Sequence, residues 1–359
     1  MADWQTLSDR INHVAPSATL AVDSKAKAMK AAGIDVIGFG AGEPELPNPR
    51  TNRRGRAAAV QDPKNYRYTP TAGLPELRQA IADKTLRDSG YEIDPSQVIV
   101  TNGGKQAVYE SFQILLNEGD EVIIPTPYWT SYPEAVKLAG GVPVTVFAGA
   151  DRNFEPSVEA IEAARTEHTK AIIVNTPNNP TGAVWKPETV KAIAQWAIEH
   201  HVWVISDEIY EHLNYDGAKT TYIGAAVPEV RSQLLVLNGV AKTYAMPGWR
   251  VGLDDRPRGR GQGRIQTAGS HDLQREQHLP ACRHRSRLRL PGRRLRDARR
   301  IRQAPPDHRR RVERHRRREL PDPDRRVLRV RRRDRAAEQT DRHQQDHVRQ
   351  HFRTGRRVA

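Results

Sequence analysis

Cysteine is nearly missing from this chain. One residue in 359, Cys282, rules out a disulfide framework. Long apolar runs are missing too, so no segment reads as a membrane span. The opening MADWQTLSDR lacks the basic and apolar regions of a secretory signal. These absences lead to the expectation of a cytoplasmic protein with no membrane partner.

Two further absences are local. All six tryptophans and all ten tyrosines precede residue 254, and Phe352 is the one phenylalanine after it. Lysine is also absent from 254 onward, where 34 arginines face 14 acidic residues, a net of +20. Residues 1–253 carry a net of −5, so the whole-chain charge of +15 belongs to the tail. A basic chain ordinarily points to nucleic acid. Here the tail has no interleaved aromatics, no zinc-ligand spacing and no helix-turn-helix pattern, which argues against that partner.

What residues 1–253 do contain is an alternation of strand and helix patterns. Apolar, β-branched runs occur at DVIGF (35–39), QVIVT (97–101), EVIIP (121–125), VPVTVF (142–147), AIIVN (171–175), VWVIS (202–206) and LLVLNG (234–239). Helical patterns lie between them, as at 73–90 and 186–201. This rhythm predicts an α/β fold with a mainly parallel sheet and a ligand at the carboxyl ends of its strands. GFGAG (38–42) resembles part of a dinucleotide fingerprint, but Glu43-Pro44 follows where a helix should open, so it reads as a loop.

Chemistry collects at the strand ends. VTNGGKQAVYESF (100–112) runs strand, Gly-Gly turn, helix, which is either a plain turn or an anion site made of free N–H groups. Trp129, just past a strand in PTPYWTSYP, could stack on a planar cofactor, though alone it reads more readily as core. Asp207 ends another strand in VISDEIYEHL, with Tyr210 three residues on, and alone it could be a helix cap. IVNTPNNPTGAVW ends in an amide-rich loop. Lys242, in AKTYAMPGWR, follows the apolar strand LLVLNG. Together these groups describe one chemistry. A lysine amine kept partly unprotonated forms an imine with a carbonyl cofactor. A pyridinium needs an acidic partner, its phenolate needs donors, and its phosphate needs a helix N-terminus with an arginine.

At this point a resemblance carries further. APSATLAVDSKAKAMKAAG, GAGEPE, NYRYTPTAGLPELRQAI, VTNGGKQA, PYWTSYPE, NNPTGAVW, SDEIYEHL and AKTYAMPGWRVG, in this order, resemble the class I aminotransferases. These are fold type I pyridoxal-phosphate enzymes, and the likeness is to their bacterial aspartate aminotransferase branch. The resemblance implies pyridoxal 5'-phosphate, an amino acid (aspartate) and a 2-oxo acid (2-oxoglutarate) as substrates, no metal, and a homodimer. It implies that Lys242 carries the internal aldimine and shuttles the proton, that Asp207 pairs with the pyridinium nitrogen, and that Tyr210 and Asn179 bond the phenolate oxygen. Trp129 would stack on the ring, with Gly104, Lys105 and Arg250 on the phosphate and Tyr68 reaching it from a partner subunit. Gly42, with Trp129 and Asn179, would contact substrate. Pro247 departs from the family's usual threonine, removing a donor and suggesting strain in that loop.

The organisation expected is an N-terminal segment (1–33), a cofactor-binding large domain (34–253) and a tail (254–359) standing where the family has its small domain. The tail resembles nothing in the family. Arginine without lysine suits a GC-rich gene read out of frame. Reading one nucleotide downstream, GQGRIQTAGSHDLQREQHLPA (261–281) permits VKAASKLQVHTTSNVSNISQ, and ELPDPDRRVLRV (319–330) permits NCPTPTGAFYVY, both resembling family segments. LPNPRTNRRGRAA (46–58) likewise permits FPTPGPTVVDA, which marks 46–59 as a local slip. The tail is expected to be disordered, and the chain as written to be inactive in transamination.

Two other function classes stay open at this stage. Another fold type I enzyme, such as an aromatic aminotransferase or a carbon–sulfur lyase, would share the cofactor residues. A basic nucleic-acid-binding protein would show a steep salt dependence of binding.

Overall fold

The computed structural model describes residues 8–38, 42–44 and 48–257. The tail segments singled out above, beyond residue 257, lie outside the described residues.

Seven strands form one sheet: β1 (Val98–Thr101), β2 (Glu121–Thr126), β3 (Val142–Phe147), β4 (Thr169–Asn175), β5 (Trp203–Asp207), β6 (Leu234–Gly239) and β7 (Gly252–Asp255), in the order β1-β7-β6-β5-β4-β2-β3. All neighbours are parallel except β7, which runs antiparallel to both β1 and β6. Six strands fall on apolar runs visible in the sequence. The seventh run, DVIGF, does not: described residues 35–38 lie outside the sheet, and Ile37 is exposed. An apolar run makes a strand only where a neighbouring edge is free to pair, and every interior edge here is taken.

The helices are α1 (Asp9–Asn12), α2 (Ala18–Ala31), α3 (Arg50–Val60), α4 (Pro75–Ser89), α5 (Gly104–Leu115), α6 (Ser131–Leu138), α7 (Val158–Ala163), α8 (Pro187–Glu199) and α9 (Ile223–Ala226). Proline at the first position opens α4 and α8, where a missing N–H costs nothing. Gly90, in the left-handed region at φ 73°, closes α4.

Successive strand residues point to opposite faces, so the sheet feeds two cores. Ile172, Val174, Val204, Leu234 and Val236 pack with Ile81 of α4, Val190 and Ile193 of α8, and Ile223 of α9. Ala171, Ile173, Ile205, Leu235 and Leu237 pack on the other face with Ala107 and Phe112 of α5 and with Tyr132 and Val136 of α6. Each fully buried Ile, Leu or Val contributes roughly 1.5–3 kcal/mol. A sheet covered on both faces leaves its strand ends as the place for a ligand, and the carboxyl ends of β1, β2, β4, β5 and β6 all lie on one side.

α3 crosses the segment expected to be out of frame. It buries Asn52, whose Nδ2 meets Met246 Sδ at 3.4 Å, and sets Arg56 5.3 Å from the centroid of the Trp249 ring. Just before it, Asn48 Oδ1 is buried with no hydrogen-bond partner. α2 buries no residue and leaves Leu20 and Val22 exposed.

Candidate active site

Asp207 is the last residue of β5 and is buried. Tyr132 of α6 donates its hydroxyl to Asp207 Oδ2 at 2.7 Å, and Ile209 N–H donates to Oδ1 at 3.2 Å. Burial pushes the Asp207 carboxyl above its ordinary value, and the two donors pull it back in part. The tight turn after β5 then presents Tyr210. Asn179 Nδ2 donates to the Tyr210 hydroxyl oxygen at 3.2 Å. Burial and the Asp207 charge push the Tyr210 phenol up to about 12, so it stays protonated and able to donate.

Asn179 is held from behind. Its N–H donates to Asn175 Oδ1 at 2.9 Å, and Asn175 Nδ2 donates to the Asp207 carbonyl at 3.0 Å. Asn175 ends β4, so its side chain ties the ends of two neighbouring strands together.

Lys242 follows β6. Its Nζ donates to the Gly42 carbonyl oxygen and lies 5.6 Å from the centroid of the Tyr210 ring. Burial lowers the Lys242 ammonium below its ordinary value, against an opposing pull from Glu43. A lowered ammonium gives up its proton more readily than a free lysine, and the amine so formed is a nucleophile and a base.

The opposite wall is the start of α5. Gly103 caps it at φ 82°, a left-handed conformation that favours glycine. A Cβ on Gly103 would stand 2.2 Å from an Arg250 guanidinium nitrogen, and one on Gly252 would stand 2.4 Å from the Gly103 carbonyl carbon. These contacts bring Arg250 against the first turn of α5, where the Gly104 and Lys105 N–H groups have no acceptor within the helix. Arg250 itself donates to Pro247 O at 3.0 Å. A positive dipole end beside a guanidinium is an anion cradle.

Trp129 precedes α6 and meets Tyr132 edge-on, with centroids 5.4 Å apart. The Lys105 ammonium lies 5.3 Å from the centroid of the Trp129 ring, so Lys105 faces an aromatic ring. Tyr68 is 93% exposed. Pro247 opens a short 3-10 turn, Pro247–Trp249, at the position where no N–H is required. The unusual backbone falls on its neighbours Ala245 (φ 53°) and Arg250 (φ 50°), at about 1–2 kcal/mol each.

The structure thus gathers Lys242, Gly42, Tyr210, Asn179 and Asp207 around one set of strand ends. Arg250, Gly104 and Lys105 sit at the end of β1. Sequence reasoning missed Tyr132, Asn175, Gly103 and Gly252. Asn175 had a signal, because a polar residue closing an apolar strand beside NNPTG marks a strand end. Tyr132 had none, since its partner lies 75 positions away.

The donor set suits a phosphorylated pyridine aldehyde. A buried acid, a phenol with an amide, a nucleophilic amine and a glycine-lined anion cradle match its nitrogen, hydroxyl, carbonyl and phosphate in turn.

The sequence profile of the family described as aminotransferase class I and II matches residues 34–253. The chain is 58% identical over 246 residues to the aspartate aminotransferase of Streptomyces avermitilis, covering 68% of this chain and 60% of that protein. It is 48% identical over 252 residues to that of Geobacillus stearothermophilus, covering 70% and 64%. Among solved structures, it superposes on the Thermus thermophilus aspartate aminotransferase with maleate at a TM-score of 0.69 and 42% identity, covering 74% of this chain and 67% of that one. The Rhizobium meliloti aspartate aminotransferase gives 0.75 at 33% identity, covering 82% and 73%. The matched residues span about three-fifths of the length of the Streptomyces avermitilis and Geobacillus stearothermophilus proteins.

Proposed function

The chain belongs to the class I and II aminotransferases, and from that premise we propose that residues 34–253 are the cofactor-binding domain of an aspartate aminotransferase. The reaction would move the amino group of aspartate to 2-oxoglutarate. Members of the family use pyridoxal phosphate, which when bound supplies an electron sink for the substrate Cα. The observation that carries the reading is the meeting of Lys242, with its lowered ammonium, and the Asp207–Tyr210–Asn179 group at adjoining strand ends.

Each residue then has one task. Lys242 would hold and move the proton of the substrate Cα. Asp207, held by Tyr132, keeps a proton on the ring nitrogen. Tyr210 and Asn179 donate to the ring oxygen, and Trp129 covers the ring face. Gly104, Lys105 and Arg250 hold the phosphate, with Tyr68 of a second copy in a homodimer. Gly42 meets the substrate carboxylate, beside Trp129 and Asn179. The reading calls for amino acid and 2-oxo acid partners rather than nucleic acid, and it includes a cytoplasmic location. Among the described residues no helix is long and apolar enough to cross a membrane.

Borohydride reduction in the presence of pyridoxal phosphate tests the reading. The cofactor should become covalently attached at Lys242, with the visible band lost in Lys242→Ala. Label on Lys105 instead would sink the assignment.

For the rest of the chain, we infer that codons 46–59 and those from about 254 are translated out of frame. Nucleotide sequence across codons 46–60 and 250–256 decides this directly. A gene with frame restored should transaminate aspartate, whereas the 359-residue chain should not.

A further inference from the structure

The turn 207–213 has a second side. Asp207 and Tyr210 belong to the site, whereas Glu211 and His212 reach α4. Lys84 Nζ donates to Glu211 Oε1 and lies 3.9 Å from Asp88 Oδ2, with the Lys84 and Glu211 side chains 10% and 1% exposed. His212 Nε2 lies 3.1 Å from Asp88 Oδ2. Burial alone would raise the Asp88 carboxyl, but bonds from His212 and Arg87, with the Lys84 and Arg87 charges, hold it well below the usual carboxylate range. The ligand atoms of Asp88, Glu211 and His212 stand within 4.8 Å of one another. Lys84 lies beside both carboxylates, and Arg87 adds a second cation on Asp88, 2.9 Å from its Oδ1.

The backbone of the same turn is tied to the sheet at its start, where Asn175 Nδ2 donates to Asp207 O at 3.0 Å and Glu208 N–H donates to Leu237 O at 2.9 Å, and it is tied again at Glu211. The Glu211 carbonyl oxygen accepts from Asn214 Nδ2 and from Thr220 Oγ1, each at 2.8 Å. Inside the turn, Ile209 N–H donates to Asp207 Oδ1, Glu211 N–H to Glu208 O at 2.9 Å, and Leu213 N–H to Tyr210 O at 2.8 Å. A short turn held at Glu211 has little freedom left at Tyr210, one residue earlier. A buried ion pair is a costly way to obtain stability, and its attested use is to fix geometry.

We propose that Lys84, acting through Glu211, is a positioning residue for the cofactor ring: it fixes the turn that aims Tyr210. The inference rests on the reading of the site given above. Lys84 touches neither cofactor nor substrate in it, and works from α4, 127 positions away from its partner.

Amide hydrogen exchange in the full 359-residue chain reads the turn without cofactor. Lys84→Met should raise exchange at Ile209, Glu211 and Leu213 by about tenfold or more while β4 stays protected, and Lys84→Arg should restore it. Should Lys84→Met fail to fold, the pair Lys84→Met with Glu211→Leu removes both charges together. It should melt near the parent and still exchange fast in the turn. The functional readout is pyridoxal phosphate affinity, expected to weaken about tenfold, with a displaced pH midpoint of the visible band that Lys84→Arg returns. Unchanged exchange overturns the proposal. So does faster exchange with unchanged affinity and midpoint, because the pair would then stabilise the turn without serving the site. A parent that takes up no cofactor while the variants still exchange faster overturns the reading of the site and this inference with it.

Discussion

Strands β5 and β7 flank β6, and each ends in acidic residues buried in the same sheet, yet their surroundings differ. Asp207, at the end of β5, receives a phenol hydroxyl and a backbone N–H. Glu208, next in the chain, receives the Ser206 hydroxyl at 3.0 Å. Asp254 and Asp255 of β7 stand opposite Leu237 and Val236 of β6, inside the sheet and away from the strand ends that form the site. Asp254 pairs with Arg256 two residues on, while Asp255 Oδ1 is buried without a hydrogen-bond partner. Evolved buried carboxylates come with donors. β7 sets two adjacent acids opposite apolar residues of β6, and one Asp255 oxygen is left without a partner.

The largest expected effect tests the β5 side. A carboxylate that keeps the ring nitrogen protonated stabilises charge developing on the substrate Cα. With frame restored, Asp207→Ala should lower turnover by roughly a thousandfold, about 4 kcal/mol of barrier, while substrate binding survives. A loss below about tenfold would make Asp207 a turn cap and erase the contrast with β7.

On the β7 side the effect is on stability. Burial and the neighbouring Asp254 charge push the Asp255 carboxyl up to about 8, from an ordinary 3.8. Burial, then Glu211 and Asp255, push Glu208 up to about 8 from 4.5. A carboxyl whose folded value is raised holds a proton in the folded state that the unfolded chain has released. Stability from this source is therefore complete below about pH 4 and falls as pH rises toward 8, by up to about 1.4 kcal/mol per pH unit for each group. Urea melts of the 359-residue chain between pH 5 and 8 should show the decline, and Asp255→Asn should lessen it. Asp255→Val alone should stabilise the chain at neutral pH, whereas Asp254→Leu should destabilise it by about 3–5 kcal/mol, because it leaves the buried Arg256 charge without its partner. A decline that Asp255→Asn leaves unchanged would place the effect on Glu208, beside β5, and erase the contrast with β7.

The same contrast explains what could be read in advance. β1 to β6 were legible because β-branched apolar runs bounded by turns are strands in most contexts. β7 was not, since half of Gly252–Asp255 is acidic and only pairing on both edges holds it in the sheet. DVIGF misled for the opposite reason: its composition suits a strand, but pairing is a property of neighbours. Within the site, Lys242, Asp207 and Asn179 were legible because each closes or follows an apolar run. Tyr132, and Lys84 on α4, were not, because their partners are 75 and 127 positions away and local pattern carries no information at that range.

The smallest effect concerns Tyr132, and it sharpens the contrast most finely. Its hydroxyl donates to Asp207 Oδ2 at 2.7 Å, and its ring is almost fully buried in the core shared by α5 and α6. Tyr132→Phe keeps the ring and removes one donor, leaving a buried carboxylate oxygen short of a partner, at a cost of about 1–3 kcal/mol. The Asp207 carboxyl, already raised by burial, should rise further once the Tyr132 bond that lowers it is gone. Asp207 then resembles Asp255, an acid in an apolar setting with too few donors. The variant should bind pyridoxal phosphate a few-fold more weakly, with the pH midpoint of its visible band displaced, and should melt lower by an amount that grows as pH rises. Spectra and melts at three pH values suffice. A variant indistinguishable from the parent in all three would show that the β5 acid does not depend on its donors, and that the two strands differ in composition alone.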